Sequence, residues 1–149
     1  MEIYIGSDFK GFETKKSLIE FLAAGNHTVN NMGDYEYKDG DDFNDSAVAV
    51  AKAVRENRGS IGILICGSGH GMTIQANRFK GIRATLCDSV DAVIPAKKSD
   101  DANVLCLSAD RVDIEKAKEI TAKFLETDFE PLERRVRRMN RLDERWDYD

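Results

Sequence analysis

Several protein classes are excluded by what this sequence lacks. No apolar run among its 149 residues approaches the roughly 20 needed to cross a bilayer. The three cysteines, Cys66, Cys87 and Cys106, are odd in number and have no metal-type spacing, so neither a disulfide framework nor a cysteine-built metal centre is expected. A basic excess is missing too. Lys and Arg number 22 against 27 Asp and Glu, a formal charge of -5, and the pI is near 5.1. Nucleic acid and anionic membranes call for a net basic surface, so neither is an expected partner, and any anion must be held locally. The opening residues Met1-Glu2-Ile3-Tyr4-Ile5 show no charged n-region, apolar h-region or small-residue cleavage site. A cytoplasmic protein with free thiols is the expectation. There is no internal repeat and no low-complexity tract, and the length suits one domain over residues 1–149.

What is present is a regular alternation of short extended runs and longer helical ones, the pattern of an α/β protein with a mostly parallel sheet. Strands are expected at Glu2–Gly6, His27–Asn31, Ser60–Cys66, Ile82–Cys87 and Ala102–Ser108. Helices are expected at Lys10–Ala24, with Phe12, Leu18, Ile19 and Leu22 inward, and at Phe43–Asn57, Met72–Arg78, Ser89–Ser99 and Asp113–Leu125. Pro95 should interrupt the fourth of these. The unbroken run Ile63-Leu64-Ile65 marks a central strand buried on both faces. Gly33–Asp42 reads as a polar loop. An arginine-rich helix from Pro131 to about Trp146 has no strand after it, so it is the part expected to pack on a neighbouring subunit.

Ligands of open α/β sheets bind at the carboxyl ends of strands. That rule directs attention to Gly6-Ser7-Asp8, Asp42-Phe43, Cys66–Gly71, Cys87-Asp88 and Ser108–Arg111. Within Cys66-Gly67-Ser68-Gly69-His70-Gly71 a thiol stands before free backbone N–H groups and a helix start, a setting expected to favour the thiolate. Gly67, Gly69 and Gly71 let the backbone approach an anion, a phosphate or a developing oxyanion. The loop is neither a phosphate-binding Walker loop nor a dinucleotide fingerprint. On these residues alone, a buried cysteine beside a tight turn remains an open alternative. Cys87 and Cys106 read as core, and His27 as a surface residue.

The order of several motifs resembles the ribose-5-phosphate isomerase B and galactose-6-phosphate isomerase family. They are Asp8, Asp42-Phe43, the Cys66–Gly71 loop running into Ala76-Asn77-Arg78, Gly81-Ile82-Arg83-Ala84, and Asp101-Ala102-Asn103-Val104. The resemblance implies a Rossmann-like α/β/α sandwich with a five-stranded sheet and an aldose–ketose isomerase of a sugar phosphate, ribose 5-phosphate/ribulose 5-phosphate in type. It implies no cofactor or metal. It also implies a homodimer or tetramer with sites at the subunit interface, or a heteromer with a paralogous chain. Cys66 would be the enediolate base, with Ser68 and Asp8 beside it. The glycines Gly67, Gly69 and Gly71 would shape the anion pocket, with Phe9, Asp42, Phe43, His70, Asn77, Ser99 and Asp100 in contact with substrate. Arg134 and Arg138, within Arg134-Arg135-Val136-Arg137-Arg138-Met139, would bind phosphate from a neighbour, a solvated basic face being the lesser alternative for that run.

Two family histidines are replaced, by Phe9 after Asp8 and by Ser99 before Asp100, and the usual Asp-Tyr-Pro is Asp42-Phe43-Asn44. The groups best suited to proton transfer in ring opening are therefore gone. A shorter sugar such as a tetrose 4-phosphate, a partner chain completing each site, or a non-catalytic sugar-phosphate-binding role would each accommodate the loss. His70 inside the loop offers a proton donor or phosphate contact from another direction.

Overall fold

The computed structural model describes residues 1–144. Five strands, β1 (Glu2–Ser7), β2 (Thr28–Asn31), β3 (Ile61–Cys66), β4 (Ala84–Leu86) and β5 (Val104–Ser108), form one sheet in the order β2-β1-β3-β5-β4, every pair parallel. The helices are α1 (Phe12–Ala24), α2 (Phe43–Glu56), α3 (His70–Ala76), α4 (Val90–Lys98), α5 (Ile114–Glu126) and α6 (Glu133–Glu144).

Side chains of a strand alternate between faces, and here each face is covered. Ile61, Ile63 and Ile65 of β3 join Ile3, Ile5, Leu105 and Leu107 beneath Leu18 and Leu22 of α1, Val93 of α4 and Ile120 and Phe124 of α5. Leu64 and Cys66 point the other way, with Val104 and Cys106, toward Ala47, Val50 and Val54 of α2 and Met72 and Ala76 of α3. This is an α/β/α sandwich, and the alanine- and valine-rich stripe of α2 faces the sheet as its spacing requires. No helix among the described residues is long and apolar enough to cross a membrane.

Four details differ from the sequence reading. Phe12 is half-buried rather than core: its ring packs on Tyr37, centroids 6.0 Å apart, and lies 5.2 Å from the Lys15 ammonium. A single 3-10 turn, Phe9–Gly11, precedes α1 because the Asp8 carboxylate accepts the Gly11 N–H at 3.1 Å. Helix α3 begins at His70, two residues early. Pro95 does not interrupt α4, and the Ser99 N–H donates to its carbonyl at 2.9 Å. Pro95 and Asp91, one turn before it, are both exposed, so water can serve the carbonyl that proline cannot.

Helix α6 has no buried residue. Two anchors hold it: Arg135 donates to Glu130 at 2.6 Å and to the Lys98 carbonyl at 3.1 Å, and Asp143 accepts the Gly81 N–H at 3.1 Å. Both lie at the edge of the sheet where β4 and β5 begin. The expected helix end near Trp146 lies outside the described residues.

Candidate active site

The sheet order reverses between β1 and β3, since β2 lies beyond one and β5 beyond the other. A crevice opens at the carboxyl ends of strands flanking such a reversal, because the following helices depart to opposite faces. Asp8 and Cys66 stand at the carboxyl ends of those two strands, tied by the Asp8 N–H donating to the Ile65 carbonyl at 3.2 Å. The turn after β5 holds the loop from behind. Ser108 Oγ and the Asp110 N–H both donate to the Gly67 carbonyl, at 2.7 and 3.0 Å, and the Ala109 N–H donates to that of Cys66 at 2.9 Å.

Cys66 is 4% exposed, and its Sγ accepts the Gly69 N–H at 3.2 Å. Burial pushes the thiol above its ordinary pKa; the Met72 and Gly69 amides pull it back, while the charges of Asp8 and Asp110 push it further up. The expected standing thiolate is thus corrected. Loss of water and the charges of the two carboxylates outweigh the loop amides, so the shift runs toward the thiol rather than the thiolate. Asp8 is also raised, chiefly by burial with Asp41 adding, against the Gly11 amide.

The loop shape depends on two of its glycines. Gly69 has φ +81, and a Cβ there would overlap Leu86 Cδ1 and stand 3.3 Å from the Leu107 backbone. A Cβ on Gly71 would come within 2.7 Å of the Phe43 ring, so Phe43 closes down on bare backbone. Gly67 lies under Lys10 and Asp110, which pair at 3.7 Å. Ser68 and His70 are exposed on the rim, where Ser68 Oγ accepts the His70 N–H at 3.3 Å.

Phe9 is fixed twice. Its N–H donates to Asp41 at 2.8 Å, and its ring meets Tyr37 edge-on, centroids 6.4 Å apart. Asp42 opens α2 but makes no capping hydrogen bond; it lines a small cleft with Asp34, Asp41 and Asp45.

The remaining expected residues lie away from Cys66. The Asn77 amide clasps β4, donating to the Ala84 carbonyl at 2.9 Å and accepting its N–H at 2.8 Å. Asn103 does the same beside it, accepting from the Arg83 N–H and donating to the Gly81 carbonyl, each at 2.8 Å. Within this chain those two bonds give Asn77 a structural role beside β4. Ser99 caps the end of α4, Asp100 lines a groove with Met139 and Leu142, and Arg134 and Arg138 are exposed on α6. All four belong to the edge where strands begin. In a parallel sheet that edge and the Cys66 edge are opposite ends of the strands.

Lys10, Asp41, Asp110 and Arg111 were not assigned roles from the sequence. Arg111, paired with Asp88, stands after β5 on the Cys66 edge. Both members of that pair occupy strand ends, which was the one available signal; Asp41 and Lys10 had only their adjacency to Asp42 and Phe9.

The sequence profile of the ribose/galactose isomerase family matches residues 3–142. The chain belongs to that family. It is 37% identical to ribose-5-phosphate isomerase B from Mycoplasma genitalium, whose crystal structure holds ribulose-5-phosphate; the two superpose with a TM-score of 0.91 over 95% of this chain and 93% of the other. The Thermotoga maritima ribose 5-phosphate isomerase structure gives 36% identity and a TM-score of 0.91, covering 96% and 97%. A D-erythrulose-4-phosphate isomerase of Pectobacterium atrosepticum is 35% identical over 133 residues, 87% of this chain and 86% of that one. As a member of the ribose/galactose isomerase family the chain is an isomerase.

Proposed function

We propose that this isomerase interconverts an aldose and a ketose phosphate through a cis-enediolate, with Cys66 as the base. A thiolate at Cys66 takes the proton from C2 of the open-chain aldose and the electron pair moves to the carbonyl oxygen O1; the O2 hydroxyl proton then passes to O1, and the Cys66 thiol returns its proton at C1 to give the ketose with C2 as carbonyl. The remaining loop amides face the growing oxygen charge. One observation carries this reading: Cys66 and Asp8 flank the sheet's reversal point, and the Gly69 N–H already rests on the sulfur at 3.2 Å. Lys10 and Arg111 offer cations on the same edge. Ser99, Asp100, Arg134 and Arg138 reach a Cys66 site only if a second copy, or a paralogous chain, supplies them. Ile74 on α3 and Leu132, Val136 and Leu142 on or beside α6 are exposed apolar side chains suited to such packing.

Incubation with four-, five- and six-carbon sugar phosphates in deuterated water tests the chemistry. Deuterium entering C1 or C2 is expected, and no exchange with any of them would end the proposal. Cys66→Ala should lower kcat by about 100- to 10,000-fold, the usual contribution of a general base, with binding nearly intact.

A second reading concerns sugar length. Phe9, its backbone held by Asp41 and its ring against Tyr37, supplies an apolar ring where a ring-opening histidine stands in the resembling family. A tetrose 4-phosphate cannot close a furanose ring because its O4 is esterified, so it needs no such group. A D-erythrulose-4-phosphate isomerase stands among the relatives at 35% identity, beside ribose-5-phosphate isomerases at 36% and 37%, so this reading rests on Phe9. Higher kcat/KM on erythrulose 4-phosphate than on ribulose 5-phosphate is its expected outcome.

A further inference from the structure

The edge of the sheet opposite Cys66 carries a cavity of about 860 Å³ that the isomerase chemistry does not use. It lies among the turn after α2, the segment before β4, and the ends of α4 and α5. Its volume falls within the range of small-molecule sites. Val54, Ile61 and Leu125 supply apolar wall.

The charge in it is unbalanced. Asp101 and Asp143 both pair with Arg83, at 2.8 and 4.0 Å, and so are spent. What remains is Arg55, Arg58, Lys80 and Lys97 against Asp128. Among the described residues Arg55 approaches one carboxylate, Glu56 at 3.9 Å, with its guanidinium 5.6 Å from the Phe79 ring, and Arg58 and Lys80 have no carboxylate within 4.0 Å. This local positive excess sits on a chain of formal charge -5.

Lys97 is the decisive member. It is 9% exposed, yet among the described residues its ammonium makes a single hydrogen bond, to the Ala102 carbonyl at 3.1 Å, and lies 4.7 Å from the Phe124 ring. An ammonium has three donors, and burying one without a carboxylate or full hydrogen bonding is costly. Among the described residues no carboxylate comes within 4.0 Å of it. Burial lowers its pKa, opposed by the more distant Asp101 and Asp128.

We propose that this cavity is a second ligand site, distinct from the Cys66 crevice, that takes a phosphate ester of nucleotide size, its phosphates on Arg58, Lys80 and Lys97 and its apolar body against the wall.

The probe is ADP, titrated calorimetrically into the full chain with inorganic pyrophosphate and adenosine as separate arms. ADP should bind with a Kd below about 1 mM, pyrophosphate more weakly and adenosine more weakly still. The double variant R58A/K80A, both exposed, should weaken ADP at least tenfold. Lys97→Met keeps the aliphatic stem and should also weaken it at least tenfold while leaving the urea midpoint unchanged or higher, a combination that a merely structural lysine would not give. The double variant K10A/R111A, which strips cations from the Cys66 edge, should leave ADP affinity unchanged. Absence of ADP binding would overturn the proposal. So would affinity insensitive to R58A/K80A or Lys97→Met, or affinity lost in K10A/R111A.

Discussion

Replacing Gly69 by alanine tests the loop at its tightest point. Two costs can be read from the geometry. The backbone there has φ +81, a left-handed conformation that costs a residue with a Cβ roughly 1–2 kcal/mol. The new methyl would also overlap Leu86 Cδ1 and stand 3.3 Å from the Leu107 backbone. Leu86 is half-buried on the short edge strand and can rotate away, whereas the β5 backbone beneath Leu107 cannot, so overpacking adds about 1 kcal/mol, the low end of its usual range. The rigid outcome is therefore a loss of about 2–3 kcal/mol. The alternative is that the loop relaxes by turning the Gly69 peptide, which removes its N–H from Cys66 Sγ. A hydrogen bond to a charged acceptor contributes about 1.5–3 kcal/mol, so kcat would then fall by roughly 10- to 150-fold with smaller damage to stability. Urea unfolding combined with steady-state kinetics separates the two, and Leu86→Ala added to the variant should recover only the part due to overlap. A Gly69→Ala protein with parental midpoint and parental kcat would refute both the loop geometry and the role assigned to that amide.

Because burial and the neighbouring carboxylates raise the Cys66 pKa, the thiolate fraction of free enzyme should grow with every unit of pH through neutrality. kcat/KM should climb toward the alkaline range with no plateau below the ordinary thiol pKa of 9; a flat profile from pH 6 upward would contradict it. Iodoacetamide should label Cys66 increasingly over the same interval and leave Cys106 untouched, since burial pushes that thiol up to about 12; mass spectrometry of tryptic peptides reads both. Asn77→Ala should cost about 2–4 kcal/mol by chemical denaturation through its two bonds to Ala84, with kcat retained in the folded protein. A kcat loss at unchanged stability would return Asn77 to the site. Asp41→Ala frees the Phe9 backbone, and a change in KM exceeding that in kcat is its expected signature.

Much of the architecture was legible because burial on both faces leaves a period-independent apolar run. Ile61–Cys66 is fully buried and reads as a central strand at once, and the glycine loop after it located the crevice. β4 was less legible. Only Ala84–Leu86 pairs as strand, while Ile82, although buried, turns its N–H to the Phe79 carbonyl, a local bond invisible to hydropathy. Asn77, Asn103 and Arg83 sit in motifs that sequence order associates with function, yet their polar atoms are occupied in holding that three-residue edge strand. The protonation state of Cys66 was unreadable for a related reason. A helix start and glycines are sequence features, but the carboxylates of Asp8 and Asp110 reach the sulfur from other strand ends.

The burial of Cys66 also bears on selectivity toward electrophiles. Open-chain aldoses carry an aldehyde, and a permanently ionised sulfur beside one would add to it, storing the enzyme as a hemithioacetal; peroxide would attack the same anion. A sulfur held protonated at rest is a poor nucleophile and a poor reductant. When it does ionise, its conjugate base is stronger than an ordinary thiolate, which helps it remove a weakly acidic hydrogen from carbon. With Cys66 as the proposed base, the enclosure that disfavours its ionised form would protect it from an aldehyde substrate and from oxidants.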